Sequence, residues 1–541
     1  MADYDYILNN CIIADVVALR FTRGDVAVKD GKICAVGGEL GDGIDCGGAY
    51  LLPAFIDAHT HIESSLLTPV RFAEAVLPRG VTTVIADPHE IANVCGMAGV
   101  DYMIELASET LLDVKMMMPS CVPASYAESS GATLGADDVS KAMKRADIFG
   151  LGEMMNYPAV LAAQEDVIAK IDAARREGKA VDGHYPLGSG EELKRYAAAG
   201  ITSDHESVSA AEAQEKIDAG IDVFIREGSA GKQLEAVLPA AEGKYFDSVS
   251  LCTDDCNVSD IMRYGHINRV VAKAIALGME PIKAIAMATI NPARHYALSD
   301  RGAIEAGRRA DMILVRDLSD MSPHIVFKDG VIAARDGKLA RQVEPKPCEA
   351  VTDTIKMPPL SKEKLRLSGA AEKIGMAIKP GSLITYKTDV AACDCKLCVC
   401  ERHSGSGRVG VCALSGYGVR GGAVALSVSH DAHNIVCAGD SDEDMCIAVN
   451  ALRDCGGGMC AVKDGIVAAM VELPIAGLMS DAPPQEVALK LDKLNRFCTS
   501  ELHIDERLEP VMSLSFLALS VIPHLKLTDR GLFDVDSFKH I

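Results

Sequence analysis

Between residues 55 and 255, short apolar runs that end in polar residues alternate with amphipathic stretches. Eight runs follow one another: FIDAHTH (55–61), VTTVIADPHE (81–90), VKMMMPS (114–120), IFGLGEMMN (148–156), AVDGHYP (180–186), ITSDHES (201–207), DVFIREGS (222–229) and VSLCTDD (249–255). Each run reads as a buried strand, and segments such as PAVLAAQEDVIAKIDAARREGK and SAAEAQEKIDAG between them carry helical periodicity. Eight strand–helix units over about 240 residues predict an α/β fold, a TIM-like (β/α)8 barrel, whose usual size is about 250 residues. Nearly every run ends in His, Asp, Glu or Arg, at the strand end where barrels build active sites. A doubly wound sheet is the alternative, but no glycine-rich phosphate fingerprint follows the early strands.

The flanks have a different rhythm. The first 50 residues read as short strands joined by turns, with a KDG turn at 29–31. A related pattern returns after residue 300, with a matching KDG at 328–330. These pieces predict one composite β-sandwich domain from 1–50 and 300–345, flanking a barrel at 51–299. A Pro- and charge-rich linker starts near 346, and alternating segments with a third KDG at 463–465 predict a C-terminal α/β domain at 346–541.

The 541 residues allow two to four domains. No stretch of 18 uninterrupted apolar residues exists; Met512 to Leu525 is broken by Ser513, Ser515, Ser520, Pro523 and His524, so no membrane partner is expected. The N-terminus carries two aspartates and no basic, apolar signal pattern, so a cytoplasmic location is expected. A formal net charge of −22 argues against a nucleic acid polymer as partner. The 18 cysteines, without an export signal, are expected to be reduced thiols. Cys393, Cys395, Cys398 and Cys400 form a tight cluster; a strand with Cys398 and Cys400 on one face is preferred to a zinc site, because no distant second pair completes a tetrahedron.

His59 and His61 lie two apart on one strand, so both imidazoles share a face at the barrel mouth. Glu153, His184, His205 and Asp254 close other runs. Each has a bland reading: paired histidines can hydrogen-bond in a core, Glu153 can sit in a salt bridge, and Asp254 can cap a helix. The joint pattern at successive strand ends points to a metal site suited to Zn²⁺, Fe²⁺ or Mn²⁺, with room for two ions sharing a carboxylate.

These residues resemble a known family. PAFIDAHTHIESS resembles the first-strand motif of the amidohydrolase superfamily, as does a β-domain split between the termini. HIESS, ADPHEIANVCG, GLGEMMNYP, DGH, SDHES, IREGSA, LCTDD, NPARHYALSDRGAIEAGRRADMILV, GGAVALSVSHDAHNIVCAG and VELPIAGLMSD are similar to adenine deaminases of the bacterial and archaeal type, over nearly the whole chain. The resemblance implies that His59 and His61 bind one metal, His184 and His205 a second, that Glu153 bridges them, and that Asp254 touches a metal and moves protons. Mn²⁺ or Fe²⁺ is implied ahead of Zn²⁺. The implied reaction is hydrolysis of a purine base, adenine to hypoxanthine and ammonia, with hydroxide attacking C6 and N1 gaining a proton.

Glu63, His89 and Glu90 are candidates for contacting the purine or protonating N1, against the alternative that a glutamate there orients a ligand histidine. Arg226 either approaches the substrate or pairs near Glu227. Tyr185 stands beside His184, where the family usually has DGHAPGLSG, and Cys256-Asn257 replaces its usual basic residue and proline. His430, Asp431 and His433 in SHDAHN are read as a turn or domain contact in preference to a cover over the barrel mouth. Rival readings are hydrolysis of another aminated heterocycle or cyclic amide, and a non-catalytic binding barrel, which would be free to lose ligands that are all present here. A cytidine-deaminase-type site is rejected, since no proline precedes Cys395-Lys-Leu-Cys398 and His61 belongs to the His-x-His strand. A homodimer is the base-rate assembly.

Overall fold

The computed structural model describes residues 4–541. Eight parallel strands form the barrel: Phe55–Thr60, Val81–Ala86, Asp113–Met118, Gly150–Met154, Val181–Gly183, Ser203–Asp204, Asp222–Arg226 and Val249–Cys252. The first five pair in sequence order, and so do the last three. Between the fifth and sixth, Thr202 donates its amide to Val181 O at 2.9 Å. The ring closes where Asp254 donates its amide to His59 O at 3.0 Å. The first two strands are buried at every position, which explains their unbroken apolar character: parallel strands are covered on both faces.

Each of the eight runs therefore forms a barrel strand. The long stretch after the fourth strand is two helices, Tyr157–Leu161 and Glu165–Arg176, rather than one. Ala163 takes a left-handed φ of 51° between them. Glu165 and Asp166 open the second helix and Arg175 and Arg176 end it, matching its dipole.

The two flanks join in one nine-stranded sheet, because Tyr50–Pro53 pairs antiparallel with Met312–Val315. The strands of the composite domain are thus joined by hydrogen bonds from both flanks, around a core of Leu8, Val26, Leu51, Met312 and Phe327. Tyr6 stacks on Phe327 at 5.7 Å. All three KDG segments are two-residue hairpin turns, with Asp30/Gly31, Asp329/Gly330 and Asp464/Gly465 at φ 51/74°, 50/75° and 52/77°. Positive φ at both central positions matches the right-handed twist of the flanking strands.

An eight-stranded, mostly antiparallel sheet spans residues 374–472, backed by helices Asp442–Asp454 and Pro484–Ser500. On its strand Cys395–Cys400, Cys398 and Cys400 face one core with Cys437, Cys446 and Cys460, whereas Cys395 faces the other. Four thiols split across two faces do not converge on one ion, and every cysteine among the described residues is free. This C-terminal unit rests on the barrel rim: Ser480 donates its amide to Leu66 O at 2.8 Å, and Ser125 bonds Ser520 at 2.6 Å. No helix among the described residues is long and apolar enough to cross a membrane.

Candidate metal centre and active site

Six predicted ligands meet at the C-terminal ends of the barrel strands. Glu153 lies at their centre. Its Oε2 is 2.9 Å from His205 Nε2 and 3.1 Å from His184 Nδ1 on one side. On the other, His59 Nε2 is 3.7 Å and His61 Nε2 3.8 Å from its two oxygens. Asp254 Oδ1 stands 3.1 Å from His61 Nε2 and 3.6 Å from His59 Nε2. Asp254 takes a left-handed φ of 56°, a conformation that aspartate tolerates better than most residues and that concentrates at functional sites.

The donor set fits divalent cations. His61 Nδ1–H donates to Asp87 O at 2.9 Å, so the neutral ring aims a lone pair inward from Nε2. The Nε2 atoms of His59 and His61 come within 3.2 Å of each other, a repulsive pairing of neutral imidazoles unless a cation or proton sits there. Burial works against charge on His59 and His61, yet Asp254 and Glu153 outweigh it and hold both above the usual histidine range. Burial also opposes charge on Glu153, but His184 and His205 keep its carboxyl well below the usual value. The cluster attracts positive charge from every side.

Supporting groups fix this geometry. Asp87 Oδ2 accepts the Glu153 amide at 2.8 Å. Gly152 makes that approach possible, since a Cβ there would stand 2.2 Å from Asp87 Oδ2. Asp57, midway along the first strand, accepts from Thr253 N at 3.1 Å and from Thr253 Oγ1 at 2.5 Å, and burial pushes its carboxyl up to about 7. These contacts tie the first strand to the eighth.

Arg226 faces the centre and leaves Glu227 to Lys273. Its Nη1 donates to Asp254 Oδ2 at 3.0 Å, and its guanidinium clasps both oxygens of Glu206. Glu206, 3.6 Å from both His184 Nδ1 and His205 Nε2, is a participant that the sequence reading missed. Asp87 is another. Their signals were the D-H-E and A-D-P-H-E strings at the ends of two strands.

Tyr185 is corrected. Its ring stacks on Tyr157 at 4.5 Å and packs against Tyr196 at 5.0 Å, in the helix-facing core. Consecutive residues at a strand end point to opposite sides, so His184 inside places Tyr185 outside. Glu63 Oε1 accepts the Ile91 amide at 3.1 Å, its buried Oε2 has no partner, and burial pushes its carboxyl up to about 7. It braces the helix His89–Cys95. Asn257 caps the helix Val258–Tyr264 by accepting the Asp260 amide at 3.0 Å, and Cys256 is buried in the core, so this departure leaves the ligand set untouched.

Glu90 is a hub. His430 Nδ1 bonds its Oε1 at 2.5 Å and His433 Nε2 bonds its Oε2, with His89 Nε2 3.5 Å from Oε1. Burial opposes its charge, but His430, His433 and His89 hold it well below the usual carboxylate range. His430 is raised to about 9 by Glu90 despite burial, while burial takes His433 down to about 4. The SHDAHN segment thus makes a domain contact that also covers the mouth. A cleft of about 650 Å³ between barrel and C-terminal unit, lined by Ser64, Asp255, Asn257 and Phe516 among others, reaches His430.

Eight parallel strands with imidazoles and carboxylates converging at one end define a metal-dependent hydrolase of the barrel type. Residues 50–333 match the amidohydrolase family, and 373–539 match the adenine deaminase C-terminal domain. The adenine deaminase of Nitratidesulfovibrio vulgaris is 44% identical over 99% of this chain and 96% of its own. That of Halalkalibacterium halodurans is 41% identical over 99% and 95%. Among solved structures, an enamidase of the amidohydrolase superfamily aligns over 60% of this chain and 95% of its own, with TM-score 0.46 and 21% identity. The chain belongs to the adenine deaminase family.

Proposed function

We propose that this site hydrolyses adenine to hypoxanthine and ammonia with two divalent cations, His59 and His61 holding one and His184 and His205 the other. Glu153 lies between the imidazole pairs and Asp254 beside them. The single observation that carries this reading is the placement of Glu153 within 2.9–3.8 Å of four imidazole nitrogens from three strand ends and the turn after the first. The mixed nitrogen and oxygen set suits Mn²⁺ or Fe²⁺, and also admits Zn²⁺. Bound cations supply Lewis acidity that makes water nucleophilic at neutral pH.

The chain's own residues supply proton handling. Burial opposes charge on Asp254, but His59 and His61, then His205 and Arg226, keep it ionised, so it accepts the water's proton and returns it to the departing amine. His89 is buried, with Nδ1 unpartnered and 3.7 Å from Glu153 Oε1. Despite burial, Glu90 and Asp87 hold it protonated, which suits delivery of a proton to N1 as charge builds there. Glu90 acts by positioning His89 and His430, since both its oxygens are engaged.

Ammonia release from adenine, with adenosine, guanine and dihydroorotate as comparisons, tests the reading. His59→Ala is expected to lose bound metal and turnover together, and undiminished turnover in metal-stripped protein refutes the metal chemistry.

A further inference from the structure

The segment 427–434 follows the C-terminal strand Gly422–Leu426 and is buried throughout. It is pinned on both sides: the His430 amide donates to Ser515 O at 3.0 Å, the Ser429 amide to His433 Nδ1 at 3.1 Å, and Asn434 Nδ2 to Ser129 O of the barrel at 2.8 Å. His430 also stacks on Phe516 at 4.5 Å. Between the two histidines, Asp431 is 3% exposed. Its Oδ1 is 4.0 Å from His89 Nε2, and its Oδ2 has no partner.

A buried carboxylate oxygen without a donor is costly, and native folds leave few of them. The acidic neighbour Glu128 offers no remedy, since burial followed by Asp431 and Asp529 are what perturb it. His89 separates Asp431 from the metal side of the site: its Nδ1 looks to Glu153 and its Nε2 to Asp431. Asp431 therefore stands about one imidazole's breadth beyond the carboxylate between the two histidine pairs. A purine lying against the face of His89, with C6 on the metal side, presents its five-membered ring toward Asp431. The donor this ring carries is an N–H, on N7 or N9 according to tautomer. A nucleoside has no such hydrogen on either nitrogen.

Resting on the adenine reading above, we propose that Asp431 accepts the imidazole-ring N–H of the purine, so that the C-terminal unit supplies the contact that selects a free base over an N9-substituted one. The fixed histidines at 430 and 433 hold the acceptor in place. Glu90 is what fixes them.

The experiment measures metal content, kcat and KM of the full-length wild type, Asp431→Ala and Asp431→Asn with adenine and 9-methyladenine. Wild type is expected to prefer adenine by about a hundredfold in kcat/KM, the range for losing a donor to a buried charged acceptor. In Asp431→Ala that preference narrows about tenfold or more, adenine KM rises, and metal content stays at the wild-type level. Asp431→Asn keeps a weaker, neutral acceptor and falls between the two, which also serves should the alanine variant fold poorly. An unchanged adenine to 9-methyladenine ratio in metal-replete variants overturns the assignment of Asp431. A wild type inert towards adenine overturns the adenine reading itself.

Discussion

Replacing Arg226 by methionine isolates its electrostatic role, because Met keeps most of the apolar volume and removes the guanidinium. In the structure, Arg226 Nη1 lies 3.0 Å from Asp254 Oδ2. Two unit charges at that distance attract by about 5 kcal/mol at an effective dielectric of ~20. Imidazoles also hold Asp254, and the Arg226 side chain retains 16% exposure, so solvent screens part of this. A net loss of about 1.5–3 kcal/mol then moves the acid limb of the kcat/KM profile upward by about one to two pH units, since each unit is ~1.4 kcal/mol. The sign follows from the charge: without the neighbouring cation, Asp254 takes up its proton at higher pH and is lost as a base sooner on acidification. Glu206 is simultaneously left buried without its partner, at a cost of about 3–5 kcal/mol in urea unfolding. Adding Glu206→Gln should restore part of that stability and draw the displaced limb part of the way back, because it removes a carboxylate that shares Arg226 with Asp254. An acid limb that stays put in metal-replete Arg226→Met refutes the reasoning and leaves Arg226 only a partner of Glu206.

Two further outcomes are expected. Gly152→Ala drives a methyl group against Asp87 Oδ2 and displaces the carboxylate that accepts the Glu153 amide. Metal stoichiometry by elemental analysis should fall along with kcat/KM, with a stability loss of about 1–3 kcal/mol from overpacking; full metal content with normal activity contradicts the bracing role. His403 donates Nε2–H to Ala432 O at 2.7 Å, and burial, aided by Arg402, pushes it down to about 3. With an unfolded value near 6.5, its contribution is complete above pH 6.5 and is lost as pH falls toward about 3, amounting to about 2 kcal/mol by pH 5. His403→Gln should shrink the stability difference between pH 7 and pH 5 by that amount in urea titrations, and an unaltered difference rejects the assignment.

The barrel was legible because parallel strands buried on both faces leave continuous apolar runs, and because the ligands terminate those runs. The three Asp-Gly turns were legible because that pair encodes positive φ locally. Tyr185 was misread by adjacency: the alternation that placed His59 and His61 on one face also separates Tyr185 from His184. The same rule splits Cys395 from Cys398 and Cys400. Asp87 escaped notice because its partner is a backbone amide 66 positions away, on the fourth strand, which meets the end of the second only in the folded barrel. Glu206 lay in view beside His205, but its meaning comes from Arg226, 20 positions on.

The contact between Glu90 and the pair His430 and His433 joins positions 340 and 343 apart, and no local pattern encodes such a meeting. Its energetic consequence is large. Glu90 is 2% exposed, and an anion so buried is tolerated only with partners, while breaking a buried pair costs about 3–5 kcal/mol. Two of its three imidazoles come from the C-terminal unit. Docking of that unit and ionisation of Glu90 therefore stabilise one another, and the docking that satisfies Glu90 also seats Asp431 beside His89. The charge balance of the barrel rim and the shape of the substrate chamber are thus one arrangement, built by two separate parts of the chain.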